Sequence, residues 1–336
     1  MIDDRPAFAF EPRSPAGLAR KGDGMVWRKA TPLALLALAL LALTIGNSVR
    51  AATLEVGPGK KYDKPSAAIA AAQPGDAIDI APGQYYDCAV IRQDNLTVEG
   101  TGPGVVLTDT TCNGEALLIT DGNNITIRNL TLQDARAPGG NGAGIRADGG
   151  NLTVDHVQFL NNQDGILSAS NPDANIRIID SDFVHNGTCE KSCAHAVSIG
   201  AINALDVEHT RFFDTQQGRD IRSGARLTEV TDCDIEDGPG GTSSNQIDIF
   251  HGGSLVVTGT KMEKGPKSEN HAYAITIGEE GVTQPTDKIV IRNNIFINDS
   301  GHPATFVRNM TATPAQLNNN KFTGDVRPLE GDGSSS

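Results

Sequence analysis

Residues 124–132, Asn-Ile-Thr-Ile-Arg-Asn-Leu-Thr-Leu, form a nine-residue unit that the chain writes repeatedly. It recurs at 151–159, 175–183, 204–212, 227–235, 254–262 and 288–296. The starts are separated by 27, 24, 29, 23, 27 and 34 residues. A loose period in the twenties with variable insertions is the sequence signature of a solenoid, in which each unit buries its apolar face only by stacking on its neighbours. Within each unit apolar and polar residues alternate, so each holds a short strand with one buried face.

A second short strand follows each unit, at 144–147, 165–168, 196–199, 220–223, 247–250, 274–277 and 305–308. No helical segment separates the strands, and no two-residue hairpin turns join them. Stacked coils, each pairing with the coils above and below, fit this pattern. The expected fold is all-β: a right-handed parallel β-helix of roughly ten coils. Phe159, Phe183, Phe212, Ile235, Met262, Phe296 and Phe322 close successive units and are expected to stack inside.

The 336 residues divide unevenly. Residues 33–45 are an apolar run of 13, preceded by Arg28 and Lys29 and followed by the small-residue pattern Val49-Arg-Ala51. This reads as a Sec signal peptide, since a membrane span needs about 20 apolar residues. Met25 is a plausible start, and an uncleaved inner-membrane anchor is the alternative reading. The expected organisation is a leader at 1–51, a cap with a short helix at 52–94, a β-helix body at 95–325 and a disordered polar tail at 326–336. In the cap, residues 66–72 read as the helix and 76–80 as the first strand.

Removing the leader takes away 7 of the 28 Lys and Arg and 4 of the 41 Asp and Glu. The remaining 21 basic and 37 acidic residues give a formal charge of −16. Such a surface repels nucleic acid and anionic membranes. Trp27, the one Trp, lies in the leader, so the exported part has no Trp platform for sugar stacking. A periplasmic or secreted monomer is expected. The five cysteines fit an oxidising compartment. Cys88 and Cys112 lie about one coil apart, and Cys189 and Cys193 bracket a short loop. Both pairs are expected as disulfides, with Cys233 as a buried free thiol; zinc at Cys189 and Cys193 is the competing reading. Glycosylation-type Asn-X-Thr strings at Asn95, Asn124, Asn129, Asn151 and Asn186 are better explained by coil corners, where Asn tolerates left-handed backbone.

Alternation on the second strand places Ile145, Ile166, Val197, Ile221, Ile247 or Ile249, and Ile275 inside. Arg146, Leu167, Ser198, Arg222, Asp248 and Thr276 then form an outer column, with Arg222 and Asp248 on adjacent coils. His195, His251, His271 and His302 crowd the strand ends or the loops before them. The expected centre is Arg222, Asp248, His251 and His195, with Arg146, Ser198, Asn245, Thr276 and His271 as substrate-binding residues. Asp248 and Asn245 offer oxygen ligands to a calcium ion, the one cofactor these residues suggest.

At these residues a resemblance becomes specific. Residues 190–283 resemble a bacterial family of exported β-helix-repeat proteins. The matching segments are Cys193-Ala-His195, 218–223 (Gly-Arg-Asp-Ile-Arg-Ser), 241–248 with Gly252-Gly253, Lys264-Gly-Pro266 and 277–281. The resemblance spans most of 53–325 and implies a pectin-lyase-like fold without a defined activity. More distantly, the strand pattern is similar to the chondroitinase B and alginate lyase group. Aligned that way, Arg222 stands at the position of the lyase base Lys, and Phe250 at that of the lyase Arg, so both catalytic positions depart.

Elimination across a uronic acid needs a neutralised carboxylate, a base for the C5 proton and an acid for the leaving oxygen. Arg222 suits the first role, because a guanidinium forks onto a carboxylate, but is a poor base. His251 or His195 suits the second if its pKa lies near 7. Hydrolysis needs two carboxylates, and Asp220 with Asp248 is the pair the pattern places together. The expected function is that of a carbohydrate-active protein acting on an acidic polysaccharide, as a lyase or epimerase. The alternative is a non-catalytic polysaccharide-binding or structural envelope protein.

Overall fold

The computed structural model describes residues 51–336. The expected leader lies outside the described residues. Among the described residues three parallel sheets run side by side, with twelve, ten and ten strands. The first runs from Thr53–Val56 to Gly333–Ser335, the second from Gly83–Tyr85 to Lys321–Thr323, and the third from Ala89–Ile91 to Val326–Glu330. Each strand pairs with the strand one coil earlier and one coil later, so the fold is a parallel β-helix as the repeat requires. Pro65–Ala71 is the one helix among the described residues, with a proline in its first turn; its Ala68 and Ile69 join the same core as Leu54 and Val56.

The nine-residue unit holds two strands rather than one. In the unit at 151–159, Leu152–Asp155 belongs to the first sheet and Gln158–Leu160 to the second. The break falls at the sixth position, which is Asn129, His156, Asp180, His209, Asp232, Gly259 and Asn293 in successive units. All seven have positive φ, between 46° and 67°. Asn, Asp and Gly enter this left-handed region at least cost, and His is also enriched there. This column of turn-forming residues marks the corner between the two strands.

Two more expectations change at the ends. Thr53–Val56, not 76–80, is the first strand, pairing with Ala77–Ile80 through Leu54 and Val56 on the buried face. The tail is not disordered: Val326–Glu330 and Gly333–Ser335 form a last coil. A ladder bonds backbone to backbone, so a Gly/Ser strand can dock where a neighbouring coil supplies partners.

Inside, Phe159, Phe183, Phe212, Ile235, Met262, Phe296 and Phe322 fall in one register column, as expected. The rings of Phe159, Phe183 and Phe212 stack at 4.4 and 4.8 Å. At one corner exposed asparagines form a ladder, Asn203 to Asn175 to Asn151 to Asn124 to Asn95, each donating to the next over 2.7–3.1 Å. At another, Asn162 and Asn186 are buried and bond the backbone of adjacent coils. Asn124, Asn151, Asn95 and Asn186 of the glycosylation-type strings therefore have structural roles. Cys88–Cys112 and Cys189–Cys193 are disulfides, and Cys233 is a buried free thiol, all as expected.

One stretch of the interior is polar. Asp220, Asp237, Gln246 and Lys264 are all buried between the second and third sheets. Asp237 Oδ2 accepts from the Gly265 amide and the Ser268 hydroxyl, and Lys264 Nζ donates to the Ser244 carbonyl over 3.0 Å. Burial raises the Asp220 pKa to about 8, with the Asp237 charge adding to the rise. Burial lowers that of Lys264 to about 8 against the pull of Asp237 and Asp220.

Candidate functional site

The third sheet carries the predicted outer column. Arg146, Leu167, Ser198, Arg222, Asp248, Thr276, Arg308 and Glu330 are paired in successive register. Inward-facing Ile145, Ile166, Val197, Ile221, Ile247, Ile275 and Val307 fix that orientation. Stacking at about 4.8 Å per coil puts Arg222 directly beside Asp248.

Asp248 is fully buried. Arg219 Nε lies 3.1 Å from its Oδ2 and Arg222 Nε 3.9 Å from the same atom. The Thr276 hydroxyl donates to Oδ1 over 2.9 Å. Burial pushes the Asp248 pKa up, while Arg219, the Thr276 bond and Arg222 pull it down. Two guanidinium groups thus share one buried carboxylate oxygen on the outer face of the third sheet. Arg219 was not singled out in the sequence because it lies at the strand's start, where simple alternation turns it inward; the corner turns it out.

Arg222 makes two further contacts. Its Nη2 lies 2.8 Å from Glu280 Oε1, and its guanidinium carbon lies 3.6 Å above the Phe250 ring. His251 packs on Phe250 with ring centroids 4.4 Å apart, and its Nε2 is 3.9 Å from Glu280 Oε2. The His251 side chain is 41% exposed, so of the two expected bases it is the accessible one. Glu280 arrives on the loop after Tyr273–Ile277, which sequence pattern alone could not place.

His195 joins the centre differently. It is buried, and its Nδ1 accepts the backbone N–H of Arg219 over 3.0 Å. Nδ1 is therefore occupied, and the neutral ring carries its proton on Nε2. Burial first, then the Arg219 and Arg222 charges, lowers its pKa to about 3. It offers a hydrogen-bond donor, and the expectation that it acts as a base is not met. Its backbone N–H donates to Asp164 Oδ1 over 2.7 Å. Burial holds the Asp164 carboxyl at about 7, against the pull of that bond and of Arg146. Asp164 was missed because one acidic residue at a strand start carries no periodic signal.

Several expected substrate-binding residues have other partners. Arg146 Nε is bonded to Asp148 Oδ1 over 2.6 Å. Thr276 is fully buried and holds Asp248 rather than facing solvent. Asn245 is buried, with its Nδ2 toward the Tyr273 carbonyl at 3.3 Å. Ser198 is nearly buried in the outer column, between Leu167 and Arg222. His271 stacks on His302 at 4.4 Å, on the loops that precede the strands. Asp220 faces the interior, where its Oδ1 accepts from Thr215, so it forms no pair with Asp248. The interior placement of Asp220 does not support hydrolysis by that pair.

Asp248 and Asn245 do not fit calcium. Asp248 Oδ2 already faces two guanidinium groups and Oδ1 accepts from Thr276, so a divalent ion would meet two positive charges. Among the described residues the grouping with metal-ligand spacing is elsewhere, at the corner between the first and second sheets: Asp155, His156 and Asp180, whose ligand atoms lie within 4.8 Å of one another.

No family model matches the chain, and no curated protein matches it in sequence. Solved structures do share its architecture. An alginate lyase from Paenibacillus sp. str. FPU-7 superposes with a TM-score of 0.63 at 16% identity, covering 84% of this chain and 99% of that one. ORF18 of Geobacillus virus E2 gives 0.50 at 13% identity, covering 90% and 63%. A pectin methylesterase from Aspergillus niger gives 0.47 at 13% identity, covering 84% and 91%. At such identities the likeness concerns the fold alone, and the chain is a parallel β-helix.

Proposed function

We propose that this protein is an exported, monomeric carbohydrate-active β-helix protein that acts on an acidic polysaccharide laid along the third sheet. The observation that carries the reading is the pair Arg219 and Arg222, anchored by buried Asp248 on the outer face of the third sheet beside accessible His251. A guanidinium held in place by a buried carboxylate is preorganised to take a uronate carboxylate. The two disulfides support an oxidising compartment.

The chemistry this arrangement supports best is proton abstraction beside a carboxylate, as in a lyase or epimerase. Arg222 neutralises the sugar carboxylate, which acidifies C5. His251 takes the C5 proton as a neutral imidazole. The Nε2–H of His195 is a donor for the leaving oxygen or for a ring hydroxyl. In a lyase the electron pair then expels the glycosidic oxygen, which takes up the proton held by the His251 imidazolium, and leaves an unsaturated uronate. In an epimerase a proton returns to C5 from the opposite face.

A binding-only reading is favoured by Phe250. It is 7% exposed and lies beneath Arg222, so no second cation stands where the related lyases are expected to place one. The purified protein is to be incubated with alginate, polygalacturonate, chondroitin and bacterial exopolysaccharides, and the ultraviolet absorbance of unsaturated uronate followed. A rise that Arg222→Ala and His251→Ala abolish supports lyase action. Retention of these polymers on affinity gels without turnover or C5 inversion supports the binding module. Neither binding nor turnover overturns the polysaccharide reading.

A further inference from the structure

The loop after Tyr273–Ile277 does not run straight to the next coil. It folds back over two earlier ones. The Glu280 amide donates to the Phe250 carbonyl over 2.9 Å, and the Thr283 and Gln284 amides donate to the His251 carbonyl over 2.9 and 3.0 Å. The Gln284 side chain reaches the Gly224 carbonyl over 3.3 Å, and the Gly253 amide is tied to Thr286 Oγ1 over 3.0 Å. Gly278 and Gly281 carry the positive φ values, +83° and +98°, that let the chain reverse.

The result of this detour is one contact. Glu280 places a carboxylate on Arg222, with its second oxygen toward His251. Arg222 starts on Arg219–Ser223, two coils away from the strand that precedes the loop. The Glu280 side chain is 45% exposed, and Val282, two residues on, is 49% exposed. The loop tip is thus held by a few hydrogen bonds rather than by core packing. Asp248, below, brings one negative charge against two guanidinium groups and leaves one positive charge over. Glu280 is therefore a second carboxylate on Arg222, placed on its solvent side.

We propose that Glu280 is a built-in stand-in for a substrate carboxylate, and that Arg222 with His251 forms a uronate subsite that opens when the sugar carboxylate displaces Glu280. This rests on the polysaccharide reading above. Displacement exchanges one carboxylate for another on the same guanidinium, so the subsite remains neutralised when empty and selects ligands that bring their own negative charge. Neutral sugars have nothing to offer Arg222 in place of Glu280 and leave the loop closed.

The test is calorimetric titration of the full chain with tetrasaccharides of galacturonate, mannuronate and guluronate, and with a neutral tetrasaccharide. Wild type is compared with Glu280→Gln and Arg222→Gln, each checked by circular dichroism and thermal melting. The expected result is uronate binding by wild type, about tenfold tighter binding by E280Q, loss in R222Q, and no gain for the neutral sugar. A tenfold change corresponds to about 1.4 kcal/mol. Uronate binding that E280Q leaves unchanged or weakens overturns the stand-in role while leaving the polysaccharide reading intact. Absence of uronate binding in every folded variant overturns both. Should E280Q melt far below wild type, Glu280→Asp, which keeps the charge but shortens the reach, is used as well: it too is expected to bind more tightly than wild type, and failure to do so overturns the proposal.

Discussion

Arg219 and Asp248 sit on adjacent coils, with Arg219 Nε 3.1 Å from an Asp248 oxygen that is fully buried. Removing the carboxylate's charge leaves two guanidinium groups crowded together. Asp248→Asn is therefore expected to destabilise the fold by about 3 kcal/mol, the range for breaking one partner of a buried ion pair. Chemical denaturation checks this. A loss below about 1 kcal/mol would mean that Asp248 does not anchor the pair.

The stack of Phe159, Phe183 and Phe212 predicts a position-dependent cost. Phe183→Ala removes the middle ring from contacts at 4.4 and 4.8 Å and is expected to cost about 3–5 kcal/mol. Phe322→Ala, on a half-exposed ring in the penultimate coil, is expected to cost clearly less. Equal losses would contradict a closed interior at Phe183.

The disulfides are expected to differ in weight. Cys88–Cys112 closes a separation of 24 residues and Cys189–Cys193 one of 4. Loop-closure entropy gives about 3.5 kcal/mol for the first and about 2 kcal/mol for the second. Pairwise replacement by Ser, followed by thermal melting, ranks them; a larger loss at 189 and 193 would refute the entropic account.

Stability should depend on pH in a specific way. Folded Asp220 holds its proton up to about pH 8, against 3.8 for the ordinary group. The folded state thus binds more protons between these values, and stability falls as pH rises through the window, by up to about 1.4 kcal/mol per unit. Asp164 adds a fall up to about pH 7, while His195, at about 3 instead of 6.5, adds a rise between those two values. Lys264, at about 8 instead of 10.5, makes stability rise above pH 8. Denaturation midpoints should therefore decline from pH 6.5 to 8. Asp220→Asn should flatten the decline between 7 and 8; an unchanged slope would reject the assignment.

His195 is predicted to stay neutral well below the usual range. Its imidazole resonances should not titrate between pH 4.5 and 8, because protonation would break the bond from the Arg219 amide and charge a buried ring. A midpoint near 6 in heteronuclear spectra would restore it as a candidate base.

Much of the fold was legible in the chain itself. The repeat spacing and two-residue alternation determined the stacked parallel coils, the Phe column and the outer column from Arg146 to Thr276, because strand side chains alternate faces and a stacked repeat puts equal positions in line. The Cys88–Cys112 pairing followed from the same stacking, and Cys189–Cys193 from the short loop that the two residues bracket. What the sequence alone did not decide lies wherever alternation stops. The left-handed sixth position splits each unit into two strands, and the corner before Ile221 turns Arg219 outward and Asp220 inward. Backbone bonding to the preceding coil orders a Gly/Ser tail that has no apolar pattern. Most of all, the loop that sets Glu280 on Arg222 joins residues separated by 58 positions. Local periodicity decides which face a strand residue takes, whereas loops and corners answer to hydrogen-bond partners on other coils, and those partners exist only once the coils have stacked.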